Sequence, residues 1–313
     1  MTQPPFFIVA SPRSGTTLLE RLLNRHSRIF IPPETAFFSL LRIRNLLGKA
    51  YNTQSMKGFI DWYLTRKPAK LLGLNDISNI RNLLLSNAES ASDVFINLLE
   101  QLTDRNQLLH VGEKTPHHLK CINYILTSFP HSPVILMIRD GRAVVKSRIS
   151  QPNWESNIIG ASRAWRHDVE RYNDVINGPY SDRVLVVKYE ELVSSPEKIL
   201  RDTCAFLKEE YEPRMLQDTP IDTSRFKKYY QQEWMTKSTT SIDPLCAQAW
   251  QKECSPEMIA VVENEAGKEL SELGYSLHAS AGSSWYGLWF REWVRHIAFR
   301  IRRWTDGKVN ESS

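Results

Sequence analysis

Cysteine is scarce in this sequence. The four thiols among 313 residues, Cys121, Cys204, Cys246 and Cys254, are spaced like neither a CxxC redox pair nor a set of zinc ligands. The plainest reading is reduced cysteines in a reducing compartment. No hydrophobic run approaches the roughly 20 residues that a membrane-spanning helix needs. The opening stretch MTQPPFFIVASPRSG has no basic leader and only a short apolar run before a polar loop, so it does not read as a signal peptide. A strong charge of one sign is missing too. Lys and Arg number 40 against 35 Asp and Glu, a formal +5, and residues 281–313 carry six basic and three acidic positions of that total. The rest of the chain is nearly neutral, which argues against a nucleic-acid partner and leaves room for a local anion pocket. The eight histidines form no HxxxH ligand pair, and His117 beside His118 is a poor zinc site, so no metal is expected. With 42% hydrophobic residues, 13 glycines and 16 prolines, neither a disordered nor a fibrous chain fits. These absences leave a soluble, cytoplasmic, globular protein.

Short apolar runs bounded by turn residues alternate with helical patterns, the mark of βαβ units and a parallel sheet. Strands are expected at 6–10, 28–31, 108–111, 133–138 and 183–187. Helices are expected from Thr16 onward and at 35–47, 55–66, 91–103, 115–127, 140–150, 155–177 and 196–208, the last opened by Ser195 as cap before Pro196. No repeat or low-complexity tract occurs, and the one credible boundary is HASAGSS, residues 278–284. The fold class is therefore α/β, a central parallel sheet flanked by helices. Residues 1–280 form the main domain and 281–313 a basic, aromatic, amphipathic C-terminal extension.

The strand FFIVA runs through SPRSG directly into a helix beginning TTLLERLL. Loop amides and a helix N-terminus converge there, which attracts anions. The stretch resembles a P-loop, GxxxxGK[ST], with Thr16 where the lysine would be. That lysine reaches the β and γ phosphates, so its loss argues against γ-phosphate chemistry and leaves a pocket for one phosphate group. Arg13 supplies the cation in a planar fork suited to tetrahedral oxyanions. Ser14, Gly15, Thr16 and Thr17 complete the loop, which would otherwise be an ordinary turn capped by Ser14.

A second anion site is written in SPVILMIRDGRAVVKSRIS. An apolar strand delivers Arg139 to its carboxyl end, Asp140 can cap the next helix, and Ser147 follows two helical turns later. Arginine after a strand is also a common surface charge.

SPRSGTTLL, IPPET, EKTP, MIRDGRAVVKS and VVKYEELVSSPEKIL together resemble the sulfotransferases that use 3'-phosphoadenosine 5'-phosphosulfate (PAPS). Among these the motifs look most like the protein-tyrosine sulfotransferases and their bacterial relatives, over about residues 6–275. The resemblance implies a P-loop-like sulfotransferase fold and a sulfuryl transfer to an acceptor hydroxyl, with PAPS as co-substrate and no metal. It implies that Arg13, Ser14, Gly15, Thr16 and Thr17 bind the 5'-phosphosulfate, that Arg139 and Ser147 bind the 3'-phosphate, and that Tyr189 contacts the nucleotide. It implies Glu34 as base, with Arg13 and Lys114 stabilising the transition state. The plainer readings are a helix N-terminal acid for Glu34 and a solvated lysine for Lys114. Three departures stand out. The tyrosine enzymes have an arginine where this chain has Gln151, for which Arg148 is the substitute. The histidine base of the cytosolic small-molecule enzymes is replaced by Pro116, leaving His117 as the alternative base. Late donor-contacting residues fall in the region of Lys237 and Ser238.

The arginines that follow the glutamate in the tyrosine enzymes are absent. The chain continues Thr35, Ala36, Phe37, Phe38, Ser39, Leu40, either an apolar wall or core. A carbohydrate, lipid or small hydroxylated acceptor is expected rather than an acidic tyrosine peptide. From Trp285 a helical plot puts Trp289, Phe290, Trp293, Val294, Ile297, Ile301 and Trp304 on one side and Arg291, Arg295, Arg302 and Arg303 on the other. Residues 285–304 thus make either a peripheral membrane contact, at the inner face of a membrane, or a packing contact with the chain itself or with a second copy. Two rival functions remain: a P-loop-like nucleotide kinase, and a catalytically inactive nucleotide-binding protein acting through its tail.

Overall fold

Five short strands, β1 (Phe6–Ala10), β2 (Ile29–Phe30), β3 (His110–Lys114), β4 (Val134–Ile138) and β5 (Val184–Lys188), form one sheet in the order β2-β3-β1-β4-β5. Every pairing is parallel. The computed structural model describes residues 3–74, 77–103, 109–151, 157–217, 226–232, 242–278, 286–295 and 297. In chain order its helices are α1 (Thr16–Leu23), α2 (Phe37–Ile43), α3 (Thr53–Leu64), α4 (Lys67–Leu71), α5 (Ile77–Leu85), α6 (Ala91–Leu102), α7 (Ile122–Ser128), α8 (Gly141–Ile149), α9 (Ile158–Ile176), α10 (Tyr189–Ser194), α11 (Pro196–Phe206) and α12 (Lys227–Tyr230). Further helices cover Ala249–Glu253 and Pro256–Glu272.

Two units divide the chain: Met1–Ile138 with Asn173–Asp243, and Arg139–Tyr172 with Pro244–Ser313. The first holds the sheet. FFIVA and VILMI are apolar throughout because both faces of β1 and β4 are buried. Phe6, Ile8 and Ala10 belong to one core cluster with Leu19, Leu22 and Leu23 of α1 and Leu200 of α11. Phe7 points the other way, its ring 5.9 Å from Phe95 of α6 and 5.1 Å from Phe129. Phe38 stands 4.6 Å from Phe95, and Phe37 and Phe38 are fully buried. These two phenylalanines are therefore core, and the apolar-wall reading of them does not hold.

Expected and observed elements differ where charges are buried. The expected strand 108–111 continues as β3 to Lys114, because Glu113 and Lys114 both find partners inside. The helix expected from residue 35 begins at Phe37, after Ala36 in the left-handed region at φ 51°. Thr35 is held instead by Glu113, to which its hydroxyl donates at 2.9 Å. The stretch 115–127 splits into a 3-10 turn, Pro116–Cys121, and α7. Helix α5, ISNIRNLLL, was not among the helices expected, and of its residues Ile80 and Leu84 are buried. Ser195 stands at the N-cap of α11 but makes no side-chain cap bond.

In the second unit, Ala143 and Val145 of α8, Ile159 of α9, Trp250, Val261 and Val262 form the core. The helix at 286–295 docks on it through Leu288 and Trp289, and the Trp289 indole donates to Glu265 Oε1 at 2.8 Å. Glu292 is buried and accepts the Ile158 amide at 3.1 Å. Tyr286, Phe290, Trp293, Val294 and Ile297 stay exposed. The expected stripe thus splits: Trp289 turns inward and its neighbours face out. Ile301, Arg302, Arg303 and Trp304 lie outside the described residues, as do Lys237 and Ser238.

Candidate active site

Strand β1 has β3 on one side and β4 on the other, so the chain leaves Ala10 where strand order reverses. Open α/β sheets bind ligands at such carboxyl-edge points. The loop there is held in an uncommon backbone shape, with Arg13 at φ 80° and Gly15 at φ 89°. A left-handed arginine costs about 1 kcal/mol or more and persists where the surroundings impose it, often at ligand sites. Ser14 is buried, and its Oγ donates to the Ser11 carbonyl at 2.6 Å. Its hydroxyl proton therefore shapes the loop, and its amide is what it can offer an anion.

Gly15 is the N-cap of α1, and among the described residues no side chain caps that helix. The first amides of α1 have no intrahelical acceptor and point toward the loop, the arrangement that binds phosphate and sulfate. Thr16 is buried beneath it and Thr17 half-buried. Tyr189 lays its ring against Gly15 so closely that a Cβ there would collide with it. Tyr189 is the first residue of α10, directly after β5.

Behind the loop lies a cluster of charges. Lys114, fully buried at the end of β3, donates to Glu34 Oε1, to Glu20 Oε2 at 3.0 Å and to the Tyr229 hydroxyl at 3.3 Å. Burial alone would push the lysine pKa down, but the facing carboxylates of Glu20 and Glu34 outweigh it and hold Lys114 charged. Glu34 is the open member, its side chain 31% exposed against none for Lys114. Two of the three candidate catalytic residues, Glu34 and Lys114, are thus brought into contact, and the solvated-lysine reading fails.

Glu20 was missed by sequence reasoning. It is fully buried on α1, and burial pushes its pKa up to about 7, with the Glu34 charge adding to the effect and Lys114 and Tyr229 opposing it. One signal was available. Thr16, Glu20 and Leu23 share a helix face at i, i+4 and i+7, so a carboxylate there is drawn into the core and requires a cation.

His117 is exposed, whereas His118 is buried and locked. The His118 Nε2 accepts the Phe38 amide at 3.2 Å, which leaves its Nδ1 proton to Glu113 at 2.8 Å. The Thr115 hydroxyl donates to the same carboxylate at 2.6 Å. Burial works against the Glu113 charge, but His118, Thr115 and Thr35 together hold its pKa below the ordinary value. This network fixes the segment that carries Glu34 and leaves His118 no role as a base.

The second expected anion site belongs to the other unit. Arg139 is half-buried and donates to the Cys246 carbonyl at 3.4 Å. Asp140 caps α8 as expected, accepting the Arg142 amide at 2.9 Å. Ser147 is half-buried on α8. Arg148 is turned inward, buried against Asp168 at 3.3 Å. A buried guanidinium is committed to its counter-ion, so Arg148 does not replace the arginine absent at Gln151.

The model of the sulfotransferase family matches residues 4–213 of the chain. The chain belongs to the sulfotransferase family. Curated relatives include protein-tyrosine sulfotransferase 1 of Danio rerio, 29% identical over 212 residues, which are 65% of this chain and 53% of that protein. The protein-tyrosine sulfotransferase of Drosophila melanogaster is 27% identical over 65% of this chain and 38% of its own length. The sulfotransferase thus spans about half or less of the curated relatives it matches. Among solved structures, the sulfotransferase domain of the Synechococcus PCC 7002 olefin synthase superposes with a TM-score of 0.65 at 22% identity, covering 89% of this chain and 98% of that one. The sulfotransferase domain from the curacin biosynthetic pathway gives 0.58 at 21% identity, covering 88% and 100%. These two share the fold, a central parallel sheet flanked by helices. Among the described residues no helix is long and apolar enough to cross a membrane, and no group of His, Cys, Asp and Glu could share a metal ion.

Proposed function

We propose that this sulfotransferase moves the sulfuryl group of PAPS to the hydroxyl of a carbohydrate, lipid or small-molecule acceptor. The observation that carries the reading is the contact of Glu34 with buried Lys114 at the carboxyl edge of the sheet, joined through Glu20 to the helix that begins at the anion loop. PAPS supplies an activated sulfuryl group on a leaving phosphate. The amides from Ser14 to Thr17 and the Arg13 fork suit the 5' end, and Tyr189 packs beside it. Arg139 and Ser147 take the 3'-phosphate. Glu34, open to solvent, accepts the proton of the attacking hydroxyl, while Arg13 and Lys114 balance charge growing on the leaving oxygen and the sulfuryl oxygens.

The acceptor reading rests on charge. No cation follows Glu34 in sequence until Arg42, so the arginines that the resemblance would place after the base to read an acidic peptide are missing. Retention of a base–lysine pair in contact favours an enzyme over an inactive binder, and the loop without a lysine disfavours a kinase. The exposed side of the helix at 286–295 suits the surface of a membrane, and the cysteine pattern suits the cytoplasm at its inner face.

Thermal unfolding with 3'-phosphoadenosine 5'-phosphate (PAP), ADP and ATP tests this reading. PAP at a hundred times its Kd adds about 2.7 kcal/mol of stability. The expected result is a shift specific to PAP and lost in Arg139→Ala; an equal shift with ADP supports the kinase instead. Glu34→Gln keeps the PAP shift and loses turnover of labelled donor.

A further inference from the structure

The mechanism above leaves one buried carboxylate without a task. Glu20 is fully enclosed on α1, and among the described residues its Oε1 has no hydrogen-bond partner. Its Oε2 receives Lys114 at 3.0 Å and the Tyr229 hydroxyl at 3.4 Å. An acid buried with one oxygen idle destabilises the fold unless its charge is used, and here that charge lies against the ammonium that also holds Glu34.

The transfer itself explains the use, on the reading given under Proposed function. The acceptor oxygen bonds to sulfur as the bond from sulfur to the leaving phosphate oxygen breaks, and that oxygen keeps the electron pair. The acceptor proton passes to Glu34, which becomes neutral. Lys114, still buried, then keeps a single carboxylate partner, Glu20, besides the charge it balances on the leaving oxygen. A buried ammonium left without a counter-ion is strongly disfavoured.

We infer that Glu20 is a positioning residue for sulfuryl transfer: its carboxylate stays on Lys114 as counter-ion while Glu34 is discharged, and turnover requires Glu20 ionised. The groups facing it are Lys114 from β3, Glu34 from the segment before α2, and Tyr229 and Tyr230 from α12. Burial holds both tyrosines well above the ordinary phenol value, so they remain neutral and do not compete as titrating partners. With burial raising Glu20 to about 7, its ionisation falls within the working range of pH. Thr16 lies one helical turn before Glu20, so the counter-ion sits close under the anion loop without touching the donor.

The test follows PAP release from PAPS with benzyl alcohol, which does not ionise in this range, as probe acceptor, between pH 5.5 and 9, for wild type, Glu20→Gln and Glu20→Asp. Wild-type kcat should rise with pH through a limb near neutrality. Glu20→Gln should lose that limb and lower kcat by about 10- to 100-fold, with KM for PAPS and the PAP thermal shift unchanged. Glu20→Asp should restore the limb. A Glu20→Gln profile with the wild-type limb, or a fall in PAP binding equal to the fall in kcat, overturns the inference. Should wild type bind PAP yet release none from PAPS, the acceptor reading fails separately, and infrared titration decides on Glu20. A protonated-carboxyl band titrating near neutral pH and absent from Glu20→Gln supports it; the same band in the variant overturns it.

Discussion

At Gly15 two demands meet. The backbone sits at φ 89°, and the ring of Tyr189 occupies the space a Cβ would take. Gly48 provides a control, because it also has a positive φ, 74°, but nothing lies within 4 Å of its Cβ position. Gly48→Ala should cost only the left-handed backbone, about 1–2 kcal/mol. Gly15→Ala should cost that plus displacement of the ring, about 1–3 kcal/mol more. The PAP shift should vanish in Gly15→Ala and survive in Gly48→Ala. Urea midpoints at unchanged slope measure both costs, and equal costs at the two positions would show that the Tyr189 contact is loose. A second contrast at this scale separates what residues disclose. Arg13, Ser14 and Gly15 stand out in the sequence as candidates because a phosphate-binding loop would require particular types at particular spacings. Glu20 was not, since a glutamate on a leucine-rich helix reads as a surface acid until the fold places Lys114 opposite it.

Among the elements, β1 was legible end to end and β4 to within one residue because strands buried on both faces are continuously apolar. β3 was misread for the opposite reason. Its last two residues are Glu113 and Lys114, and their burial depends on partners from α1, α12 and the segment before α2, which no local pattern reveals. The helix at 286–295 was legible as amphipathic, yet periodicity could not divide its stripe between docking and exposure. The structure now assigns each part a separate test. Glu292→Ala removes the acceptor of the buried Ile158 amide and should destabilise by about 1–3 kcal/mol. Replacing Phe290, Trp293, Val294 and Ile297 together by serine should keep the fold, with any cost confined to the partly covered Trp293 and Ile297, each 37% exposed. If the outer side meets lipid, wild type sediments with anionic vesicles in a salt-sensitive way and the fourfold variant does not. If it meets a second copy, sedimentation is absent and light scattering shows the wild-type mass halved in the variant.

For the molecule as a whole, the buried charges make stability depend on pH in a direction that can be worked out. The folded-state pKa of Glu20 is raised from 4.5 to about 7, so the native state holds this proton more tightly than the unfolded chain does. Stability from this group is therefore fully present below pH 4.5 and is lost as pH rises toward 7, where the unfolded chain ionises first. Lys114 is shifted upward from 10.5, so its contribution is constant over that window and fades only in strong alkali. Glu113 is shifted below 4.5 and acts in the opposite sense, its contribution being lost as pH falls into acid. Between mild acid and mild base Glu20 is opposed by His110, which burial pushes below its ordinary value so that its contribution improves as pH rises. Glu20→Gln removes the ionisation, so its stability relative to wild type should improve by on the order of 2–3 kcal/mol between pH 5 and pH 8. Chemical denaturation of both proteins at the two pH values measures this. The comparison cancels the titrations of groups that do not face Glu20, while Lys114 and Glu34, coupled to it, shift together with the substitution. A relative stability that stays constant across the window would mean that Lys114 and Tyr229 stabilise the Glu20 charge as fully as water does. The buried acid would then be an ordinary salt-bridge partner, with no proton to gain or lose near neutrality.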